Sequence, residues 1–183
     1  MSLQTYQIIY ADPPWRYNFS RTTSRSIETK YSTMSLADIK ALPIPAADNC
    51  ILYLWATAPK LLEALAVMAA WGFTYKSHSV WDKKKLGIGY WWRGQHELLL
   101  VGTKGKMPPP PPHLRERSVY REKRSEHSKK PEYFRDAIKR AYPDLKKIEL
   151  FARGDVLPDL FGDSQFDGWD VWGNEVNDGT DNY

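Results

Sequence analysis

Residues 6–15 read YQIIYADPPW and end in Asp12, Pro13, Pro14 and Trp15. The first six residues are mainly apolar, aromatic or β-branched, which predicts a buried β-strand. Asp and Pro favour turns, so we expect the chain to leave this strand sharply at Asp12. Open α/β sheets bind their ligands at the carboxyl ends of such strands. The turn that begins at Asp12 is therefore the first candidate for a functional site.

The residue types of this turn suit a reaction at an exocyclic aromatic amine. The lone pair of such an amine is delocalised into its ring, so a site must hold both N–H groups in a non-planar arrangement. Asp12 offers a carboxylate acceptor, and the carbonyl of Pro13, held by two consecutive locked φ angles, offers a second. Trp15 offers a flat face for a base taken out of its stack. The turn predicts a pocket for the adenine amine, and the alternative is a turn that only ends the strand.

Charge is distributed unevenly over the 183 residues, whose net charge is +4. Residues 155–183 contain eight acidic residues and no Lys or Arg, which leaves 26 basic and 14 acidic residues, a net +12, in residues 1–154. A basic body indicates a polyanionic partner, and the aromatic content of 14% supplies stacking surfaces for nucleic acid. We expect one domain over residues 1–176 and a flexible acidic tail over residues 177–183.

Cys50 is the only cysteine, so the chain lacks the thiols for a zinc site or a disulfide framework, and no metal is predicted. Cys50 begins an apolar run and is expected to be a core residue. No apolar run reaches the length of a membrane span, and the N-terminus lacks the pattern of a signal peptide. These features predict a cytoplasmic protein that does not enter a membrane.

Predicted strands and helices alternate along the chain. Strands are predicted at residues 6–11, 50–55, 73–81, 96–101 and 146–152, and helices at 35–42, 57–72 and 132–142. Ser35 with Asp38 is the predicted capping pair of the first helix, and Thr57 is the predicted N-cap of the second. The apolar run at 50–55 is expected inside a parallel sheet. The alternation predicts an α/β fold with a doubly wound sheet and right-handed crossovers.

Three polar segments, 16–30, 83–95 and 113–128, are the predicted loops for reading nucleic acid. Residues 83–95 combine three lysines with three aromatic residues and an arginine, which fits either a solvent-exposed charged face or a nucleic-acid contact. His96, which follows, fits either acid–base chemistry or an ordinary hydrogen-bonded histidine. Lys130 stands just before a predicted helix start, which is a natural position for binding a carboxylate or a phosphate.

Seven motifs occur in one order along the chain: DPPW at 12–15, YSTM at 31–34, LYLW at 52–55, QHE at 95–97, HSKKP at 127–131, ELFAR at 149–153 and GWDVWGNE at 168–175. Through these motifs the chain resembles the MT-A70-like family, which contains the eukaryotic messenger-RNA adenine methyltransferase and short bacterial and phage relatives. The resemblance covers nearly the whole chain, and so many ordered motifs are far more specific than any single one. The run at 155–167 is longer than we expect in short relatives.

The resemblance implies an S-adenosylmethionine-dependent methyltransferase with a Rossmann-like sheet of the class I type. In the circularly permuted order of this family, the catalytic strand with the DPPW motif precedes the cofactor strand. The implied catalytic residues are Asp12, Pro13, Pro14 and Trp15. The implied cofactor-binding residues are Asp12 near the methionine amino group, Lys130 on the methionine carboxylate, Arg153, Asn174 and Glu175 on the ribose, and Phe151 against the cofactor with Glu149 nearby. The substrate-binding candidates are Tyr31, which would line the target base, and Tyr17, Lys83, Lys84, Lys85, Trp91, Trp92, Arg93, His96 and Glu97.

The implied reaction transfers a methyl group to the exocyclic N6 of adenine in DNA, by direct in-line displacement on a flipped-out base. Two alternatives stay open: RNA as the substrate, or a non-catalytic nucleic-acid-binding partner subunit with the same fold. The presence of Asp12, Lys130, Arg153 and Asn174 favours the enzyme. A homodimer is also considered, because it would let a small domain grip a longer stretch of nucleic acid.

Overall fold

The computed structural model describes residues 4–17, 33–89, 91–123, 129–155, 167–173 and 175–177. Within these residues the strands are β1 (Tyr6–Ala11), β2 (Ala46–Thr57), β3 (Thr74–Asp82), β4 (His96–Lys104), β5 (Val119–Arg121), β6 (Lys147–Leu150), β7 (Arg153–Asp155), β8 (Asp170–Trp172) and β9 (Glu175–Asn177). The helices are α1 (Leu36–Ala41), α2 (Leu61–Ala70) and α3 (Glu132–Ala141), with 3₁₀ turns at Ala58–Lys60 and Pro112–Leu114. One sheet has the order β5-β3-β4-β2-β1-β6-β8, and β7 pairs with β9 in a second sheet.

β1 lies inside the large sheet, between β2 and β6, and runs parallel to both. The register places Ala11 beside Leu54 of β2 and Leu150 of β6, so Asp12 follows at the carboxyl edge of the sheet. Ile8 and Ile9 are both fully buried, which explains why the strand is apolar on both faces. β1 precedes β6 in the chain and lies next to it in the sheet, as the permuted strand order requires.

Helices cover both faces of this sheet. α1 and α2 pack on one face, where Ile39 and Val67 share a core cluster with Ile9. α3 packs on the other face, where Phe134 shares a cluster with Tyr10. Successive residues of a strand point to opposite faces of the sheet, so Ile9 packs against α1 and α2 whereas Tyr10 packs on the α3 face. This arrangement confirms the predicted α/β, Rossmann-like, doubly wound sheet.

The expected parallel setting of residues 50–55 holds on one side of β2 only. β2 is parallel to β1 but antiparallel to β4, and β4 is also antiparallel to β3. The described residues between β3 and β4 contain no helix, and neighbouring strands without a long crossover connection can be joined only as a hairpin. The sheet is therefore mixed, and the polar start of β4 lies at the carboxyl ends of β1 and β2.

The predicted helix starts are confirmed at two of three helices. The N–H of Asp38 donates to Ser35 Oγ at 3.1 Å, so this pair caps α1 as predicted, and α3 begins directly after Pro131. Thr57 does not cap α2, because a 3₁₀ turn intervenes and the Thr57 hydroxyl bonds instead to that of Tyr17 at 2.7 Å. None of the described helices is long and apolar enough to cross a membrane.

Two further predictions concern Cys50 and the C-terminal tail. Cys50 is fully buried, which confirms it as a core residue, and burial raises the pKa of its thiol to about 12. The division into a domain of residues 1–176 and a tail stays a prediction. Asn177 lies in β9, where it pairs with Asp155, and residues 178–183 lie outside the described residues.

Candidate active site

The turn after β1 is fixed by backbone hydrogen bonds. The N–H of Trp15 donates to the carbonyl of Pro13 at 2.8 Å, and the N–H of Met34 donates to the carbonyl of Pro14 at 3.0 Å. A carbonyl oxygen has two lone pairs, so Pro13 keeps one acceptor site for a further donor. The turn therefore holds Asp12 and the Pro13 carbonyl close together at the carboxyl edge of the sheet.

Trp15 supports this turn from the inside. Its side chain is 6% exposed and belongs to the core cluster shared with α1 and α2. Its Nε1 donates to the carbonyl of Trp55 at 3.1 Å. The predicted stacking face for a base is wrong for Trp15, because a ring packed in the core has no face left for a ligand.

Four charged side chains form a chain of ion pairs beside the turn, which we name the edge cluster: Asp12, Lys130, Glu97 and Lys83. Lys130 Nζ lies 2.6 Å from Asp12 Oδ2 and 3.3 Å from Glu97 Oε2. Lys83 Nζ lies 3.0 Å from Glu97 Oε1. All four side chains are between 12% and 27% exposed. The fold thus joins the end of β1, the start of β4 and the residue before Pro131, although they are far apart in the sequence.

Each ionised group in the edge cluster stabilises its neighbours. Burial lowers the pKa of Lys130, but the carboxylates of Asp12 and Glu97 outweigh it and raise that pKa above 10.5. Burial raises the pKa of Glu97, but the ammonium groups of Lys130 and Lys83 outweigh it and hold that pKa below 4.5. Lys130 and Glu97 are therefore both charged at neutral pH.

Trp55 is the floor of the edge cluster, and we did not predict this role. Lys130 Nζ lies 5.4 Å from the centroid of the Trp55 ring, a favourable position for a cation over an aromatic face. Trp55 is fully buried, and the edge of its ring meets Phe134 with centroids 5.1 Å apart. The signal was present in the sequence, because Trp55 ends the LYLW motif on the strand next to β1.

The three predicted phosphate-binding lysines separate in the structure. Lys83 is held by Glu97 in the edge cluster, whereas Lys84 and Lys85 are exposed. Glu97 therefore links Lys83 to Lys130, because it contacts both side chains. His96 is half-buried at the start of β4, and none of the described residues forms a hydrogen bond with its ring. Its role as a substrate-binding residue stays a prediction.

Glu149, predicted to lie near the cofactor, is part of a buried ion pair under the edge cluster. Arg135 Nη1 of α3 donates to Glu149 Oε2 at 2.9 Å. Burial raises the pKa of Glu149, and Arg135 offsets part of this effect. Glu149 pairs with Tyr10 in the strand register, so it is on the α3 face of the sheet. The contact fixes α3, and with it Lys130, relative to β6.

The end of β6 has an unusual backbone. Phe151 has a φ of +62°, a conformation that costs a bulky residue about 1–3 kcal/mol and clusters at functional sites. The ring of Phe151 meets the edge of Trp172, with centroids 5.5 Å apart. A Cβ on Gly173 would collide with the backbone carbonyl of Ala152. Gly173 is therefore needed for the close approach of the ELFAR and GWDVWGNE motifs.

The other predicted residues are only partly described. Arg153 and Glu175 pair in register between β7 and β9, so their backbones lie side by side. Their role at the ribose stays a prediction. Tyr17 is half-buried, with Lys60 Nζ 5.1 Å from its ring centroid, and burial raises its pKa. Tyr31 and Asn174 lie outside the described residues.

A cavity of about 530 Å³ lies elsewhere, on the α3 face of the sheet. Its walls come from β2, β4, α3 and the proline segment at 108–110. None of the predicted catalytic or cofactor-binding residues lines it, although residues 114–118 of the predicted loop 113–128 do. It is thus separate from the edge cluster and is not the predicted cofactor site.

Comparison with known proteins supports the same interpretation. The MT-A70 family model matches residues 6–175, which include β1, the edge cluster and β7. The chain belongs to the MT-A70 family. This membership confirms the resemblance stated from the motifs, and with it the expectation of an adenine-N6 methyltransferase fold and enzyme class.

Relatives of different lengths share this family. The chain is 36% identical to the Type II methyltransferase M.MunI of Mycoplasma sp, over 94% of this chain and 78% of that protein. It is 27% identical to the N(6)-adenosine-methyltransferase MT-A70-like protein of Arabidopsis thaliana, over 96% of this chain and 24% of that protein. It is 29% identical to the N(6)-adenosine-methyltransferase catalytic subunit METTL3 of Homo sapiens, over 82% of this chain and 26% of that protein. The chain thus spans about a quarter of these two eukaryotic relatives.

Proposed function

We propose that this MT-A70 chain transfers a methyl group from S-adenosylmethionine to the exocyclic N6 of adenine in DNA. The supporting observation is the edge cluster, in which Asp12 and Lys130 meet at 2.6 Å at the carboxyl end of β1. An acceptor for the adenine amine and a cation for an anionic ligand group therefore stand side by side, where open α/β sheets bind their ligands.

The edge cluster fits the methionine part of the cofactor. A methionine moiety carries one ammonium and one carboxylate, which are the counterparts of Asp12 and Lys130. Both residues are partly buried, so an incoming zwitterion replaces one charge pair by two without leaving a charge uncompensated. Arg153 and Glu175 are proposed for the ribose. When bound, S-adenosylmethionine supplies an electrophilic methyl group.

The residues of the turn act on the adenine amine. Asp12 Oδ1 accepts no hydrogen bond from the described residues, and the Pro13 carbonyl keeps one lone pair. Two acceptors held by a rigid turn can orient both N–H groups and localise the nitrogen lone pair toward the methyl donor. Alignment of this kind contributes up to about 7–11 kcal/mol in favourable intramolecular reactions.

The choice of DNA follows from the short members of the family. M.MunI, a type II methyltransferase, is matched over most of its length, whereas the N(6)-adenosine-methyltransferases are matched over about a quarter. A homodimer and a cytoplasmic location remain predictions from the sequence. Light scattering of the purified protein tests the homodimer.

Mass spectrometry of nucleosides tests the function. The protein is incubated with S-adenosylmethionine carrying a deuterated methyl group and with single-stranded DNA, duplex DNA or RNA of one sequence. Labelled N6-methyldeoxyadenosine is the expected product. Labelled N6-methyladenosine from RNA alone would move the substrate to RNA. Nucleic-acid binding without any labelled adenine would support the non-catalytic partner instead.

A further inference from the structure

The connection between β3 and β4, residues 83–95, carries apolar side chains that the core does not use. We name it the β3–β4 hairpin. Its tip is formed by Leu86, Ile88, Trp91 and Trp92, which are 51%, 103%, 94% and 89% exposed. Two tryptophans and an isoleucine in water carry an unfavourable free energy of hydration that folding has not relieved. Such a tip is typical of a surface that contacts another molecule.

The described residues of the β3–β4 hairpin, 83–89 and 91–95, are held by hydrogen bonds between its two arms. The N–H of Lys83 donates to the carbonyl of Gln95 at 2.8 Å, and the N–H of Gly87 donates to the carbonyl of Gly94 at 2.8 Å. Arg93 Nε donates to the Gly87 carbonyl at 3.2 Å. The backbones of its two arms are thus paired near the tip, and the apolar side chains project outward.

Glycines allow the two arms to approach this closely. A Cβ on Gly87 would lie 2.7 Å from the carbonyl oxygen of Gly94, and a Cβ on Gly89 would collide with the carbonyl of Trp92. Real Cβ atoms do not approach backbone atoms this closely. Glycine at positions 87 and 89 therefore lets the two arms pack closely behind the large apolar side chains of the tip.

The base of the β3–β4 hairpin is attached to the edge cluster. β3 runs parallel to β1, since both β2 and β3 are antiparallel to β4, so the hairpin leaves the sheet at the same edge as Asp12. Lys83 in its first arm contacts Glu97, which contacts Lys130 and through it Asp12. The five Cα–Cα steps from Lys83 to Ile88 span at most about 18 Å. The tip therefore lies on the Asp12 side of the sheet, close to the edge cluster.

The charge around the tip favours nucleic acid over other occupants. Lys84, Lys85 and Arg93 flank the apolar side chains and are exposed. Cations beside aromatic and aliphatic groups match the phosphates and base faces of one nucleic-acid strand. Proteins that bend or open DNA insert apolar side chains between base steps.

From this arrangement we propose that Ile88, Trp91 and Trp92 form a wedge that enters the base stack beside the target adenine. The inference rests on the proposed function. The wedge replaces stacking contacts of the neighbouring bases, which lowers the cost of moving the adenine to Asp12. The class of substrate is then a base-paired adenine that must be opened, and the wedge is a specificity element distinct from the methyl-transfer residues.

Paired substrates test this role. Trp91→Ala with Trp92→Ala is compared with the parent on two duplexes, one with the target adenine opposite thymine and one with it opposite an abasic site. We expect activity on the paired duplex to fall on the order of 10- to 100-fold, the scale of one or two lost base–aromatic contacts. Activity on the abasic duplex should fall less than about threefold, because that adenine is already weakly held. Leu62→Ala, an exposed leucine on α2, is the control.

Equal losses on both duplexes, or no loss on the paired duplex, would overturn the wedge. A change in oligomeric mass on mutation would assign the tip to contacts between copies of the chain instead. A duplex with 2-aminopurine at the target position measures unstacking without chemistry. The parent should raise its fluorescence on binding and the double variant should not. A fluorescence response without methylation of any adenine substrate would contradict the proposed function and leave the wedge intact.

Discussion

The edge cluster and the tip of the β3–β4 hairpin lie at the same edge of one sheet, but they differ in polarity and in burial. The edge cluster is polar, partly buried and closed, since two carboxylates and two ammonium groups pair with one another. The tip is apolar and exposed, and Ile88, Trp91 and Trp92 are each at least 89% exposed. A reaction at one atom needs polar groups held in fixed positions, as in the edge cluster. Contact with nucleic acids of many sequences does not need them, and an exposed apolar surface such as the tip is sufficient.

This difference predicts how each region responds to mutation. Removal of one member of the edge cluster leaves a partly buried charge without its partner, which is costly. Removal of a tip side chain leaves no cavity and no unpaired group, so the folded state should lose little. Variants of the edge cluster should therefore affect cofactor binding, chemistry and stability together, and variants of the tip should affect only the nucleic acid.

Asp12→Ala is expected to have the largest effect. It removes the carboxylate proposed to accept the adenine amine, an interaction used mainly in the transition state. Turnover should fall by about 10²–10³-fold, the scale for one preorganised polar group at a reacting centre. Single-turnover methylation measures this, with nucleic-acid affinity measured in parallel and expected to change little.

A matched control for Asp12→Ala is Asp136→Ala, an exposed aspartate on α3. It removes the same charge at a position outside the edge cluster and should leave turnover at the parent value. If Asp12→Ala stayed within a few-fold of the parent, Asp12 would not be the acceptor and the adenine pocket would have to be placed elsewhere.

Lys130→Ala tests the cofactor side of the edge cluster. The loss of a charge-assisted contact to the methionine carboxylate should weaken cofactor binding by about 1.5–3 kcal/mol. Lys129→Ala is the control, because Lys129 is half exposed and pairs with Glu132 at 2.7 Å on the surface. Calorimetry that gave the same affinity for both variants would remove Lys130 from the cofactor site.

The positions of these residues could be predicted where local sequence and the order of elements suffice. The apolar run before Asp12 and the proline after Lys130 marked a strand end and a helix start, and the structure has both at those residues. The alternation of strands and helices predicted a doubly wound sheet, whereas the pairing of β1 with β2 and β6 is known only from the structure. The motifs added the functional meaning, which composition and periodicity alone did not contain.

Other features depend on tertiary contacts that a single sequence does not display. Trp15 has the same residue type whether its ring is in the core or on the surface, and only packing against α1 and α2 decides. Lys83, Lys84 and Lys85 are identical in sequence. The register of β3 and β4 aims Lys83 at Glu97 and leaves the other two exposed. The strand at 96–101 is predicted, but its antiparallel direction is not visible in the sequence, because its residues are as apolar as those of a parallel strand.

The pH dependence of stability should separate the edge cluster from the tip, which has no titrating group. The folded-state pKa of Glu97 is lowered by Lys130 and Lys83, against the effect of burial. Its stabilisation is therefore complete above pH 4.5 and is lost as pH falls through the lower folded-state value. For Lys130, whose pKa is raised, stabilisation is complete below pH 10.5 and is lost as pH rises through the higher value.

Glu97→Gln tests the acid side of this window. Urea unfolding between pH 3 and 6 should give the parent a steeper loss of unfolding free energy than the variant, by at most about 1.4 kcal/mol per pH unit for one proton. Parallel curves for Glu97→Gln and the parent would show that the contacts of Glu97 add no stability.

The smallest expected effect concerns Lys84 and Lys85. Comparison with Lys83 tests whether the edge cluster and the exposed part of the β3–β4 hairpin act separately. Each exposed lysine that contacts a phosphate releases condensed counterion, so the slope of log affinity against log salt should become shallower by roughly 0.7–0.9 for each one replaced by alanine. Binding should weaken alike on all sequences, since phosphate contacts do not read bases, and cofactor affinity should not change. Lys83→Ala is the matched variant one residue away. Because Lys83 is held by Glu97, its loss should leave the salt slope as it is and weaken cofactor binding through Glu97 and Lys130. The same response from all three lysines, in either assay, would mean that the hairpin and the edge cluster act as one surface.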